Sequence, residues 1–323
     1  EVTFRPTGPD CFGIDVFARD LASAGIGSFK PKGYQAIEGR GEPEPKVIVE
    51  PDSGCLLFWR RVIRGVRNGP SPDWLQQRLK AVGLRPISAL VDITNFFAID
   101  QARPLHVYDI AKLSGAIQVR RGREGDRFLA LNGKDYAPVP EDCVIADDSG
   151  AIGLGGIIGG ESTGVDENTT DVLLECAWFD PARIAATGQR HTVHTDARAR
   201  FERGIDPMKL TTAIETAAQM IVDLCGGEVA EPTISGDWPA DGYPYITKRI
   251  VHRAARVQVL GAVDVPAKEQ MRILSLLGFM IIDPDNPEFW EGAEGAALPG
   301  LRQQLSAGGG EAWIVQAPTW RPD

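Results

Sequence analysis

The chain has 323 residues, 43% hydrophobic, 7% aromatic and 24% charged, a globular composition that excludes disordered, collagenous and coiled-coil classes. Lys and Arg total 34 against 44 Asp and Glu, a net charge of −10, so no global basic field exists and any nucleic-acid contact must be local. No apolar run approaches the roughly 20 residues that span a bilayer, and the five widely spaced cysteines, Cys11, Cys55, Cys143, Cys176 and Cys225, hold no CxxC pair, which fits free thiols of a soluble cytoplasmic protein.

At this length two or more domains are expected. The chain opens at Glu1 and stops at Pro318-Thr319-Trp320-Arg321-Pro322-Asp323, and it reads as an excised piece of a longer protein. Residues 10–27 carry Phe12, Val16, Phe17 and Leu21 at mostly helical spacing and end in Gly25 and Gly27. Residues 28–54, with four prolines and little periodicity, read as a surface connector. A strand over 55–66 follows, then a helix with Ser71 as N-cap, Pro72 at its first position and Trp74, Leu75, Leu79 and Val82 on its apolar side.

Strands are predicted at 117–121 and 172–179, a hairpin over 128–136 turning at Asn132-Gly133, and two strands within 143–158 around Asp148-Ser149-Gly150. Asp206-Pro207 opens the most periodic helix, with Leu210, Ile214, Ala217, Ile221 and Leu224 on one face before Gly226-Gly227 stops it. Strands clustered between helices without βαβ alternation predict an α+β class, a layered β/α domain. Residues 235–245 read as a linker. Beyond it, 253–260 and 267–277 outline a helix-turn-helix, 283–311 an inserted loop, and 313–317 a closing strand. The domain expectation is a tail and connector over 1–44, a central domain over 45–235 and a small helix-turn-helix-like, winged-helix-like domain over 236–323.

Several residues bear chemistry. The run Gly153-Leu154-Gly155-Gly156-Ile157-Ile158-Gly159-Gly160-Glu161 lacks the Gly-Lys-Ser/Thr ending of a phosphate loop, which leaves a close-packed bend or a pocket wall that lets a ligand approach the main chain. His191 and His194 form HxxH without a third ligand, so zinc is a poor reading, and a lone histidine such as His106 is more often a satisfied polar core residue than a catalytic one. Glu175 interrupts an apolar strand; a carboxylate there is either paired with an arginine or directed into a pocket to receive a donor. Local arginine clusters, 60–67, 120–123 and 190–203, read as solvated faces or as a phosphate track.

Taken in order, Val91-Asp92-Ile93-Thr94-Asn95, Pro104-Leu105-His106, Gly155 to Gly160, Leu173-Leu174-Glu175-Cys176-Ala177, Thr195-Asp196-Ala197 and Arg200-Phe201-Glu202-Arg203-Gly204-Ile205-Asp206-Pro207 strongly resemble the beta subunit of bacterial phenylalanyl-tRNA synthetase. The match runs from Pro9-Asp10-Cys11 through Ser71-Pro72-Asp73-Trp74-Leu75 to the terminal Asp323, nearly the whole chain.

The resemblance implies that the central domain edits, hydrolysing the ester of tyrosine mischarged on phenylalanine tRNA. Aminoacylation with ATP and Mg2+ would belong to the full synthetase, and this fragment would need no cofactor of its own. The implied partners are that tRNA and the alpha subunit in an alpha2beta2 assembly, with no membrane and no DNA. Carried over by motif, Glu175 accepts the tyrosine phenol, Ala197 and Gly159 shape the ring's pocket, and Thr94, His106 and Thr195 line the ester end, where a positioned water attacks without a covalent enzyme intermediate. Asp323 matches the first of several family magnesium ligands. Where the family has a small residue after Thr195-Asp196-Ala197, this chain has Arg198. Two rival readings are an editing-deficient scaffold for tRNA and the alpha subunit, and a DNA-binding ligand sensor, the latter opposed by a second helix with only Lys268 and Arg272 as cations.

Overall fold

The computed structural model describes residues 12–31, 33, 35–237, 249–282, 303–305 and 311–321. They fall into two compact units, one of residues 12–16 with those described in 31–237, the other of 17–30 with those described beyond 248.

In chain order the first stretch is helix α1 (Ile14–Ser23), strand β1 (Val47–Val49), β2 (Cys55–Arg64), α2 (Asp73–Ala81), α3 (Ala89–Asp100), β3 (His106–Asp109) and β4 (Ile117–Arg121). Next come β5 (Phe128–Leu129), β6 (Asp135–Tyr136), β7 (Cys143–Asp147), β8 (Gly150–Leu154), β9 (Ile158–Gly159) and β10 (Asp171–Phe179). Then α4 (Pro181–Arg190), α5 (Asp196–Phe201), α6 (Leu210–Cys225), β11 (Glu228–Val229) and β12 (Thr233–Ser235) close the first unit. The class is α+β, as the clustering of strands predicts.

Two sheets organise this unit. One runs β1-β4-β7-β8-β9, and the other β11-β2-β10-β3 with β12 also on β2; β5 and β6 pair as a separate hairpin. The pairing of β1 with β4 is parallel, whereas β10 runs antiparallel to both of its neighbours, β2 and β3. Eight of the nine residues of β10 are buried, so this central strand is covered on both faces. On one face lies α6, whose Leu210, Ala213, Ile214, Ala217, Ala218, Ile221 and Cys225 form the apolar stripe expected from the spacing of its leucines and isoleucines.

That helix starts later than Asp206-Pro207 suggests. The Asp206 side chain caps a single 3-10 turn, Pro207–Lys209, and the α-helix begins at Leu210. At its other end Gly226 and Gly227 take φ of +73° and +101°, the left-handed region that terminates it. Ser71 is likewise not the cap of α2. Pro72 holds that position without a side-chain bond, and the Ser71 hydroxyl instead donates to buried Asp92, whose other oxygen accepts from Ile87 N at 2.8 Å. The connector 28–54 contains β1, three residues whose partner strand lies some seventy positions away in the chain.

The second unit contains β13 (Arg249–Arg253), α7 (Ala254–Gly261), α8 (Ala267–Leu276), β14 (Met280–Ile282) and β15 (Ala312–Gln316). The two helices joined by a turn match the helix-turn-helix outline, and the strands form an antiparallel sheet in the order β13-β15-β14. Its small core is Ile314 packed by Val251, Ile282 and Leu305. Gln270, buried on α8, ties the unit together by accepting at Oε1 from His252 Nε2 at 2.7 Å and donating from Nε2 to the carbonyls of Ala254 and Val265. Most of the linker over 235–245 and of the inserted loop over 283–311 lies outside the described residues.

Candidate functional site

Strand alternation puts Leu174, Cys176 and Trp178 on one face of β10 and Leu173, Glu175, Ala177 and Phe179 on the other. Leu174 pairs with Arg61 of β2, and the Arg61 guanidinium reaches Glu215 of α6 at 2.6 Å, so the first face is the helical side. Glu175 therefore points away from α6. There the two sheets and α3 enclose a cavity of about 390 Å3, within the range of about 300–1,000 Å3 typical of small-molecule sites.

Its lining is mainly apolar, from Val91, Leu131, Ile145, Leu154, Ile157 and Phe201, with Thr94, Asn95, His106, Tyr108 and Glu175 as the polar side chains. Five of the residues selected from sequence thus meet here: Thr94, His106, Gly159, Glu175 and Ala197. Thr94 sits on α3 and donates its hydroxyl proton to the Val91 carbonyl at 2.8 Å, which leaves its oxygen free to accept. His106 opens β3 directly opposite Glu175, and its Nε2 has no hydrogen-bond partner among the described residues. Gly159 lies against that imidazole: a Cβ there would stand 2.5 Å from His106 Cε1.

Thr195 does not line the cavity. Its hydroxyl donates to the Ile157 carbonyl at 2.8 Å and accepts from Arg198 N at 3.0 Å, capping α5 and holding the cavity-lining Ile157 next to the helix that carries Ala197. Asp323 lies outside the described residues. Tyr108 is the residue that reading the sequence missed. The alternation His106-Val107-Tyr108 was a usable signal, since period two aims both rings at the same face once the segment is known to be a strand.

Burial dominates the electrostatics. Glu175 is pushed up to about 7 by burial, with the Tyr108 hydroxyl, donating to Oε2 at 2.6 Å, pulling the other way. Because its folded value lies above its unfolded one, ionised Glu175 opposes folding increasingly as pH rises from about 4.5 through 7. Burial also raises the Cys55, Cys143 and Cys176 thiols, so they remain neutral beside it.

His106 is pushed down to about 4 by burial, so it is a neutral imidazole near pH 7. Its folded value lies below its unfolded one; the stability it contributes is present above about 6.5 and is lost as pH falls through 4. Urea unfolding between pH 7 and pH 4 should show the first unit losing on the order of 2 kcal/mol more than a His106→Gln variant loses, since His106 is only half-buried and solvent screens part of the ring's charge. An equal loss in the two proteins would place that titration elsewhere.

The remaining motifs resolve structurally. The glycine-rich run is the β8–β9 turn rather than a strand-to-helix loop: Gly156 takes φ +69° against Phe179 and Ile184, and Gly159 forms the cavity wall. His191 binds buried Asp142 at 2.7 Å, beside the Arg190–Asp142 ion pair. Among the described residues no group of three or more His, Cys, Asp or Glu is placed to hold a metal. Many clustered arginines pair with the chain's own carboxylates, Arg120 with Asp126 at 2.7 Å and Arg198 with Glu202 at 2.9 Å. Among the described residues no helix is long and apolar enough to cross a membrane.

A family model described as the B3/4 domain matches residues 54–226, which contain every described candidate residue. The phenylalanine–tRNA ligase beta subunit of Novosphingobium aromaticivorans is 45% identical over 323 residues, and that of Mesorhizobium japonicum 43%; each alignment covers 100% of this chain and 36% of the relative. The chain thus spans about a third of the length of these relatives. An N-terminal fragment of the phenylalanyl-tRNA synthetase beta-subunit from Pyrococcus horikoshii overlays 99% of this chain and 80% of that one at 11% identity and a TM-score of 0.38, too low for a fold argument.

Proposed function

The chain belongs to the B3/4 domain family, and on that premise we propose that it is the editing part of a phenylalanine–tRNA ligase beta subunit, hydrolysing the ester of tyrosine misattached to phenylalanine tRNA. The observation that carries this reading is Glu175, 7% exposed, presenting a carboxylate to an otherwise mainly apolar cavity. A synthetic pocket built for phenylalanine cannot strongly reject an isostere that adds a hydroxyl, whereas a second site holding a buried acceptor rejects phenylalanine, which would leave that acceptor unpaired.

In this reading the tyrosine ring lies between Gly159 and Ala197 with its phenol at Glu175. Thr94 accepts from the amino group. His106, neutral, orients the ester or the attacking water through its unpartnered Nε2, and Thr195 acts by positioning Ala197 and Ile157. An aminoacyl ester is already activated, so placement of water against the carbonyl supplies most of the rate. Phenylalanine tRNA, the alpha subunit of an alpha2beta2 assembly, ATP and Mg2+ and the cytoplasm belong to the same proposal for the whole protein.

A second reading, a scaffold without editing, has one observation in its favour: Glu175 already has an internal phenol partner in Tyr108. Calorimetric titration of the 323-residue chain with tyrosine and with phenylalanine separates the two. One hydrogen bond to a buried charged acceptor makes tyrosine bind about 10- to 150-fold tighter, and Glu175→Ala should erase that preference. Equal affinities, or a preference that outlives the substitution, would favour the scaffold.

A further inference from the structure

Glu175 Oε2 accepts its hydrogen bond from the hydroxyl of a residue 2% exposed, Tyr108, and no other donor to this carboxylate is found among the described residues. Tyr108 is fixed in turn. Its ring stands edge-on to His106 with centroids 4.4 Å apart, and its backbone pairs with Leu173, diagonal to Glu175. While Glu175 is ionised the bond has one direction, because a carboxylate only accepts, and burial and that carboxylate push the phenol well above its ordinary value so that Tyr108 keeps its proton.

Most of the other groups facing Glu175 are neutral. From β3 comes neutral His106, from β2 the neutral thiol of Cys55 and from β7 that of Cys143. Arg60, opposite Glu175 on β2, is a buried cation that burial pushes below its ordinary value, with the charge of Glu44 acting the other way. Burial alone would drive Glu175 toward the neutral acid, which carries a proton of its own and can present a donor where a ligand's phenol must also donate. A hydrogen bond donated to the ionised form opposes that drift.

We propose that Tyr108 is a positioning residue for tyrosine selection, its hydroxyl holding Oε2 so that Glu175 remains an acceptor and Oε1 is the oxygen that receives the phenol of a bound tyrosine. This rests on the functional reading above. Two phenols then share one carboxylate, one built into β3 and one brought by the ligand.

The test uses the 323-residue chain, its Tyr108→Phe variant, which keeps the ring, and Glu175→Gln. Carbon-13 NMR of glutamate labelled at the side-chain carboxyl, assigned to Glu175 by the signal that Glu175→Gln removes, follows ionisation without any ligand. The midpoint should move up the pH scale by about one to two in Tyr108→Phe. Calorimetry with tyrosine and phenylalanine from pH 6 to 9 should show the variant losing about 10-fold of the tyrosine preference at pH 7.5 and regaining it at higher pH, whereas Glu175→Gln, left with a neutral amide acceptor, shows a weaker preference that does not change with pH.

An unmoved carboxyl midpoint overturns the assignment of Tyr108 while leaving the editing reading intact wherever the unaltered chain still prefers tyrosine. A moved midpoint with no tyrosine preference in the unaltered chain overturns the editing reading, and the selective role of Tyr108 with it. A pH-independent loss of affinity for both amino acids equally is the signature of a merely structural ring and also overturns the proposal.

Discussion

Replacing Glu215 by alanine should destabilise the first unit by about 3–5 kcal/mol, a large part of the roughly 5–15 kcal/mol that holds a typical domain together. The residue is 3% exposed and its partner Arg61 is 1% exposed, so removal of the carboxylate strands a guanidinium with no access to water. Arg61 also donates to the Ala230 carbonyl at 2.7 Å and to that of Ile37, while Ile37 N donates to Glu215 at 3.1 Å. One ion pair thus fastens β2, α6 and two irregular segments. The lost free energy is mainly the burial of an uncompensated charge, so the paired variant Arg61→Met with Glu215→Leu should cost less than Glu215→Ala alone. Urea unfolding followed by tryptophan fluorescence measures all three. A Glu215→Ala midpoint equal to the parent's would mean that Arg61 is satisfied by the carbonyls alone.

The same ion pair illustrates what the sequence could and could not convey. Arg61 and Glu215 are 154 positions apart, and Arg61 reads as one more member of a basic cluster in a strand. Elements with their own local grammar were legible: the long strand around Glu175, the hairpin at Asn132-Gly133 and the stripe of α6. α3 was not, because Ala89, Leu90, Ile93, Phe97 and Ala98 are buried on several sides and leave no clear apolar stripe. α4 announced itself with Asp180 as a side-chain cap and Pro181 at its first position, a start signal that a ten-residue helix of mixed polarity obscured.

The candidate site was legible through its anomaly. A charge inside an apolar strand asks for a partner, and Glu175 asks more sharply than Glu215, because its partner is a neutral phenol rather than a guanidinium. The two carboxylates lie on opposite sides of one sheet. On the helical side the charge is paired and serves the fold; on the cavity side burial leaves it opposed to folding near neutral pH, the condition expected of a group kept for a ligand. Tyr108 was reachable only through its alternation with His106, since an aromatic residue in a buried strand otherwise reads as core until its hydroxyl is located.

A valine at Gly159 is expected to reduce tyrosine affinity by about 100-fold or more, about 2.7 kcal/mol, while lowering stability by only about 1–3 kcal/mol. Gly159 lies in β9 outside the left-handed region, so the backbone accepts a larger residue and the effect is steric. The new Cβ would stand 2.5 Å from His106 Cε1 and 2.9 Å from Nε2. The imidazole cannot retreat toward Tyr108, whose ring is already edge-on to it at 4.4 Å, so it swings into the cavity. His106→Ala removes the obstructed ring, and Gly159→Val placed on that background should weaken tyrosine binding by well under 10-fold. Such non-additivity is what contact between the two positions requires. Undiminished tyrosine affinity in Gly159→Val would instead mean that the amino acid does not enter the space between β9 and β3, and Glu175 would then have to be read as a residue satisfied by Tyr108 alone.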